Sequence, residues 1–173
     1  MKVQTAKVRG AIQVAGLMVG LCSTSFPAQA ETASVADRLV VMKSTHTLIL
    51  YAKGQELRRY QIALGRASGA KDHEGDHKTP EGRYVIDGRN AKSRFHLSLH
   101  VSYPSEIDKR RAEKEGLRPG GDIMIHGVPD GYAWLGQHQH DIDWTDGCVA
   151  LTNPEIEEVW RLVPNGTPIE IMP

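Results

Sequence analysis

Cysteine is almost absent: among 173 residues only Cys22 and Cys148 occur. Charge of either sign is also missing as a bias, since 21 Lys and Arg balance 21 Asp and Glu. No basic stripe with interleaved aromatics is present, which argues against nucleic acid as a partner. No internal repeat or low-complexity tract occurs. The longest apolar run, Ala11 to Leu21, is too short for a membrane span, which takes roughly 20 residues.

That run has another reading. Lys2, Lys7 and Arg9 precede it, and Ala28-Gln29-Ala30 follows it. A basic start, a short apolar middle and an A-x-A site are the marks of a secretory signal over residues 1–30. Cutting there removes Cys22 and leaves Cys148 without an intrachain partner. Exported proteins normally pair their cysteines, so a lone one points to a reactive thiol or an intermolecular bridge. Residues 31–37 read as a flexible lead-in and 38–173 as one domain, a length suited to a single core.

The first half of that domain reads as strands. Leu39–Met42 and Thr47–Tyr51 are apolar and rich in branched residues. Ala52-Lys53-Gly54-Gln55 turns the chain, and Leu57 to Leu64 is predicted to pair back as a hairpin. Arg83 to Asp87 follows the turn Thr79-Pro80-Glu81-Gly82. Phe95 to Val101 alternates apolar and polar over seven residues, the clearest strand signal in the chain. Its polar face carries His96, Ser98 and His100. If that face lines a cleft, His100 is a candidate substrate contact.

Helices come later. Ser105-Glu106-Ile107-Asp108 resembles a capping box opening a charged, surface-lying helix that ends at Gly116. Asn153 reads as an N-cap with Pro154 at the first helical position. Ile156, Val159, Trp160 and Val163 then follow helical spacing, which predicts a face packed on the sheet. Pro168 to Met172 is a last strand.

Two motifs are decoys. His73-Glu74-Gly75-Asp76-His77 spells H-E-x-x-H, yet that zinc motif works only on a helix. Here it sits in a polar glycine-rich loop, Gly65 to Pro80, and reads as solvated. His138, His140, Asp141 and Asp143 are metal-ligand types, but adjacent polar loop residues are usually just hydrated. No metal and no cofactor are expected.

The chemistry concentrates at Trp144-Thr145-Asp146-Gly147-Cys148-Val149-Ala150-Leu151 and at His126-Gly127, with Asp122 to Ile125 as a short strand leading to the histidine. Gly147 lets backbone approach a ligand closely. A cysteine and a histidine at the edges of two elements are the parts of thiolate catalysis: the imidazole takes the thiol proton and sulfur attacks a carbonyl. The thiol pKa must fall from its ordinary value near 8.5, and a nearby imidazolium would lower it. Gly127, Asp141 and Asp143 are the candidates for orienting His126.

These pieces resemble the L,D-transpeptidase catalytic-domain family (YkuD-type). Gly65, Gly75-Asp76, Thr79-Pro80-Glu81-Gly82, Ile125-His126-Gly127 and Thr145-Asp146-Gly147-Cys148-Val149-Ala150-Leu151 occur in the family order. The resemblance implies a mostly β, α+β fold, a β-sandwich with two or more short helices, and action on peptidoglycan stem peptides in the periplasm or cell envelope. It makes Cys148 the nucleophile, His126 the general acid/base and the Gly147 backbone an oxyanion donor. Tyr103, Gly127, Trp134, Thr145, Asp146, His100 and Arg94 are the candidate substrate contacts. Two departures stand out: many members have His where Asp146 stands, and Arg where Ala150 stands. The expected activity is L,D-transpeptidation through a Cys148 thioester. Hydrolysis of murein peptide or murein–lipoprotein bonds by the same cysteine, and a non-catalytic peptidoglycan-binding module, are the alternatives.

Overall fold

The computed structural model describes residues 34–173, so the expected signal over residues 1–30 and the first part of the lead-in lie outside the described residues. Ala36 and Asp37 already donate backbone hydrogen bonds into the domain, to Leu162 and Tyr51 at 2.8 and 2.9 Å.

Three antiparallel strands open the sheet: β1 (Arg38–Met42), β2 (Thr47–Ala52) and β3 (Gln55–Gln61). β2 and β3 form the hairpin expected across Gly54. The long β4 (Gly82–Ser93) and β5 (His96–Val101) follow, then helix α1 (Glu106–Lys114), β6 (Met124–His126), β7 (Val149–Ala150), helix α2 (Asn153–Leu162) and β8 (Pro168–Met172). Short 3-10 segments cover Lys43–Thr45 and Ala133–His140. The eight strands make one sheet in the order β3-β2-β1-β8-β4-β5-β6-β7. Its two ends nearly meet, because Ala63, just past β3, exchanges hydrogen bonds of 3.0 and 2.8 Å with Ala150 of β7. The expected sandwich is thus one sheet curled upon itself, mostly strand with short helices.

The core fills that curl. Leu39, Val41, Leu48, Leu50, Ile62, Ile86, Leu99, Ile125 and Leu151 are all fully buried. α2 lays Ile156, Val159 and Val163 against it, all at 0% exposure. Each such side chain contributes about 1.5–3 kcal/mol of transfer free energy.

Three local expectations change. β4 runs six residues beyond Asp87, through the polar stretch Gly88–Ser93, because ladder pairing with β5 holds it despite poor strand propensity. The cap of α2 is Thr152, not Asn153: the Thr152 and Glu155 side chains satisfy each other's backbone amides. Asn153 instead accepts a hydrogen bond from the Val128 amide at 2.9 Å.

The Gly65–Pro80 loop is not simply solvated. Lys71 and Asp76 form an ion pair of 2.7 Å with side chains only 4% and 3% exposed. Asp76 also accepts the amides of Asp72, His73 and Lys78 at 2.7, 3.1 and 3.1 Å. Burial alone would raise the Asp76 pKa; the Lys71 ammonium and these amides more than offset it and hold the carboxyl at about 2. The loop is therefore wound around one carboxylate, and the H-E-x-x-H letters fall on the winding.

A carboxyl held below its ordinary value stabilises the fold above that value and loses its contribution as pH falls through about 2. Asp76→Asn should cost about 3 kcal/mol or more, because Lys71 is left buried and unpaired. Urea unfolding at pH 7 measures the loss, and the variant should show a flatter dependence of stability on pH below about 4 than the parent chain.

Candidate active site

β6 and β7 are parallel neighbours, with Ile125 opposite Val149 and His126 opposite Ala150. Parallel strands need a long crossover, and here it is the stretch from Gly127 to Gly147. The register sets Cys148, the residue before β7, beside Met124 at the start of β6, two residues before His126. Both line one cleft of about 480 Å³, with Ser98, Asp122, Met124 and Trp144 among its other walls.

Gly147 is what allows this approach. Its φ is +125°, and a Cβ there would stand 2.6 Å from the Lys78 carbonyl. The wound loop thus presses directly on the backbone before the cysteine. Thr145 holds the same turn from within: its hydroxyl donates to the Cys148 carbonyl at 2.8 Å and accepts the Gly147 amide at 3.1 Å.

His126 is buried at 3% exposure. Its ring lies between Phe95, 4.5 Å away by ring centroid, and the edge of Trp144 at 5.7 Å. Burial pulls the imidazole below its ordinary pKa, and a hydrogen bond with the Gly127 carbonyl partly opposes this. Nδ1 lies 2.6 Å from that carbonyl oxygen. A carbonyl only accepts, so Nδ1 carries the proton, and in the neutral ring Nε2 is a free acceptor. Gly127 is therefore the orienting group. Asp143 instead takes the His46 ring at 3.0 Å and the Leu64 amide at 2.8 Å, and Asp141 pairs with His138 at 3.0 Å.

The Cys148 thiol donates to the Asp122 carbonyl at 3.6 Å. Burial pushes its pKa up; an amide hydrogen bond from Met124 pulls the other way, and the carboxylates of Asp146 and Asp122 push it up further. Both shifts favour a neutral thiol beside a neutral imidazole over the expected thiolate–imidazolium pair. The physical reason is desolvation, which penalises charge on both partners.

The remaining candidates divide. Arg94, Thr145 and Asp146 line the cleft with the cysteine. Asp146 is exposed and pairs with Arg66 at 3.0 Å and His77 at 2.8 Å. Tyr103 does not reach it: it is 3% exposed and donates to the Pro119 carbonyl. His100 pairs with Asp87 outside the cleft. Trp134 points to solvent at 77% exposure, and Trp144 is the tryptophan of the cleft wall. Gly127 is packed against Asn153, Ile156 and Phe95, so it positions His126 and touches no open space. The Gly147 amide is already spent on Thr145 and is not a free oxyanion donor. Ala150 is fully buried. Phe95 and Trp144 are the site residues that sequence reasoning passed over. Phe95 opens the alternating run and Trp144 opens the cysteine stretch, which was the only signal available. Among the described residues no three His, Cys, Asp or Glu converge as metal ligands.

Comparison with known proteins gives the family and the fold. The model of the L,D-transpeptidase catalytic domain matches residues 36–171. YafK of Escherichia coli K12, which carries a provisional L,D-transpeptidase name, is 29% identical over 131 residues, covering 71% of this chain and 45% of YafK. The helical cell shape determining protein Pgp2 from Campylobacter jejuni superposes with a TM-score of 0.60 at 24% identity, over 80% of this chain and 50% of Pgp2. An L,D-transpeptidase from Mycobacterium smegmatis does so with a TM-score of 0.54 at 17% identity, over 80% of this chain and 59% of that one. These two superpositions show a shared fold. The chain spans less than half the length of the curated relatives it matches.

The neutral resting pair has a direct readout. Alkylation of Cys148 by iodoacetamide, followed by intact mass, should rise with pH through one inflection above that of free cysteine. A plateau of fast alkylation reaching down to pH 5 or 6 would instead mark a resting thiolate beside an imidazolium.

Proposed function

Because this chain belongs to the L,D-transpeptidase catalytic-domain family, we propose that it is an exported cysteine acyltransferase acting on peptidoglycan stem peptides in the periplasm or cell envelope. The observation that supports this reading most is the shared cleft of Cys148 and His126, in which the Gly127 carbonyl commits Nδ1 and leaves Nε2 as a base.

The reaction runs in two halves. As substrate displaces water, the Cys148 thiol turns from the Asp122 carbonyl toward His126. Nε2 takes the thiol proton while sulfur bonds to the amide carbonyl at the L-centre of the third stem residue. The resulting oxyanion is received by backbone amide, and the amide of Cys148 itself replaces that of Gly147 in this role; one such donor is typically worth about 3–4 kcal/mol. Collapse breaks the C–N bond, and imidazolium gives its proton to the leaving D-amino acid. A thioester remains on Cys148. An amine then attacks it, His126 takes the amine's proton, the C–S bond breaks, and the thiolate is reprotonated. The amine comes from another stem or from a lipoprotein side chain, giving a cross-link; water in its place gives hydrolysis.

The aromatic clamp on His126 serves both halves. Phe95 and Trp144 restrict the ring to one orientation, so that the same nitrogen meets the thiol, the leaving amine and the incoming one. The same walls exclude water from the ring, which holds its pKa low and keeps it unprotonated and ready at neutral pH.

Incubation of the mature chain with a defined tetrapeptide muropeptide should yield a Cys148 adduct by intact mass and, with an acceptor amine, a new linkage by mass spectrometry. Cys148→Ala should remove the adduct and all turnover. His126→Ala should slow turnover by about 10²–10⁴-fold while Cys148 remains alkylatable at raised pH. Sustained turnover by Cys148→Ala would end this reading.

A further inference from the structure

The candidate cleft has two unlike neighbours. On one side it shares Asp122 and Asp146 with a polar hollow that also includes Glu74 and His77. On the other it shares Trp144 with a groove of about 440 Å³ walled by Val128, Tyr132, Leu135 and Ile142. This second groove is apolar, and two of its walls, Tyr132 at 55% and Ile142 at 68%, are exposed. The chain thus leaves large apolar side chains uncovered within reach of its reacting centre.

One polar group sits in that apolar setting. Gln139 lines the groove and is only 3% exposed. Its Oε1 accepts the Trp144 indole N–H at 3.2 Å, which fixes the orientation of the amide. Its Nε2 is buried without an acceptor among the described residues. A buried donor left unpaired is costly and calls for a partner. The other such atom, His140 Nε2, has the Glu155 carboxylate 3.6 Å away, so it does not stand alone in the same sense.

Apolar walls beside a buried, unpaired N–H suit a peptide segment that offers an apolar side chain and, where the Gln139 amide shifts to meet it, a backbone carbonyl. Stem-peptide residues flanking the scissile bond carry methyl, carboxylate and ammonium groups, none of them long and apolar. They match the polar hollow, not this groove. Resting on the acyl-transfer reading above, we infer that the groove beyond Trp144 is the subsite of the amine-bearing substrate, and that it selects a polypeptide with a Leu- or Phe-sized side chain next to the reacting amine. Trp144 joins the two sites physically: its indole holds Gln139 on one side and its ring edge faces His126 on the other. An occupant that engages Gln139 steadies the wall against which the base is clamped.

The test compares Ac-Lys-Xaa-NH2 peptides as acceptors, with Xaa as Ala, Leu or Phe and the lysine side chain as the amine. Formation of the Cys148 adduct from tetrapeptide alone reports the acyl-transfer reading, and its absence sinks that reading by itself. The subsite is read from the ratio of aminolysis to hydrolysis of the adduct, expected to rise about tenfold or more from Ala to Leu or Phe. Ile142→Ser and Tyr132→Ser, both at exposed positions, should erase that rise while leaving adduct formation and its hydrolysis unchanged. Calorimetric titration of the Phe and Ala peptides into the unacylated chain gives an answer independent of turnover, with tighter binding of the Phe peptide expected and lost in Ile142→Ser. Equal binding and equal aminolysis for all three peptides, or a preference untouched by Ile142→Ser, would overturn the assignment.

Discussion

Two short parallel strands, β6 and β7, organise the candidate site of this molecule. Their register, His126 against Ala150, is what brings a histidine and a cysteine 22 positions apart in the chain to the walls of one cleft. The register is enforced from both sides. Ala150 is held by Ala63 through a reciprocal pair of hydrogen bonds that closes the curled sheet. On the other side, the Leu151 amide donates to the His126 carbonyl at 2.9 Å.

The backing of the site is electrostatic as well as steric. Asp76 gathers Lys71 and three backbone amides into a compact turn, and Lys78, at the end of that turn, presents its carbonyl to Gly147. The cysteine therefore rests on a loop whose shape depends on one buried ion pair. Pairs of this kind are weak sources of net stability and strong sources of a single conformation when every partner is satisfied. Here the conformation matters more, because a glycine at φ +125° tolerates only a narrow path for the chain.

Burial bears on the charge state of the candidate pair, Cys148 and His126. The aromatic clamp of Phe95 and Trp144 removes water from His126, and the half-buried thiol is flanked by the carboxylates of Asp122 and Asp146. Both effects favour neutral partners. The histidine's orientation then depends on a single backbone carbonyl, that of Gly127, which selects the tautomer. The 21-residue stretch between His126 and Cys148 does more than connect strands: it supplies Trp144, Gln139 and the walls of the apolar groove.

Much of this was legible in the residues alone. Strand and helix positions followed from periodicity, the α1 cap from Ser105 and Asp108, and the two candidate residues of the cleft from a lone cysteine near glycine and a histidine closing a short strand. Those features are local or chemical, and composition and spacing record them. What the tertiary structure decided was everything that depends on surroundings. Tyr103, His100 and Trp134 had suitable side chains, yet burial, an aspartate partner and solvent took them away from the cleft. Phe95 and Trp144 entered it because two distant segments meet across the curl. The pKa directions come from burial by segments far apart in sequence, whereas the Gly127 carbonyl on His126 and the Thr145 hydroxyl on the Gly147 amide are near neighbours whose engagement is decided by the folded turn. The sequence records which groups a chain possesses, whereas desolvation and hydrogen-bond partnership exist only once the chain has folded around them.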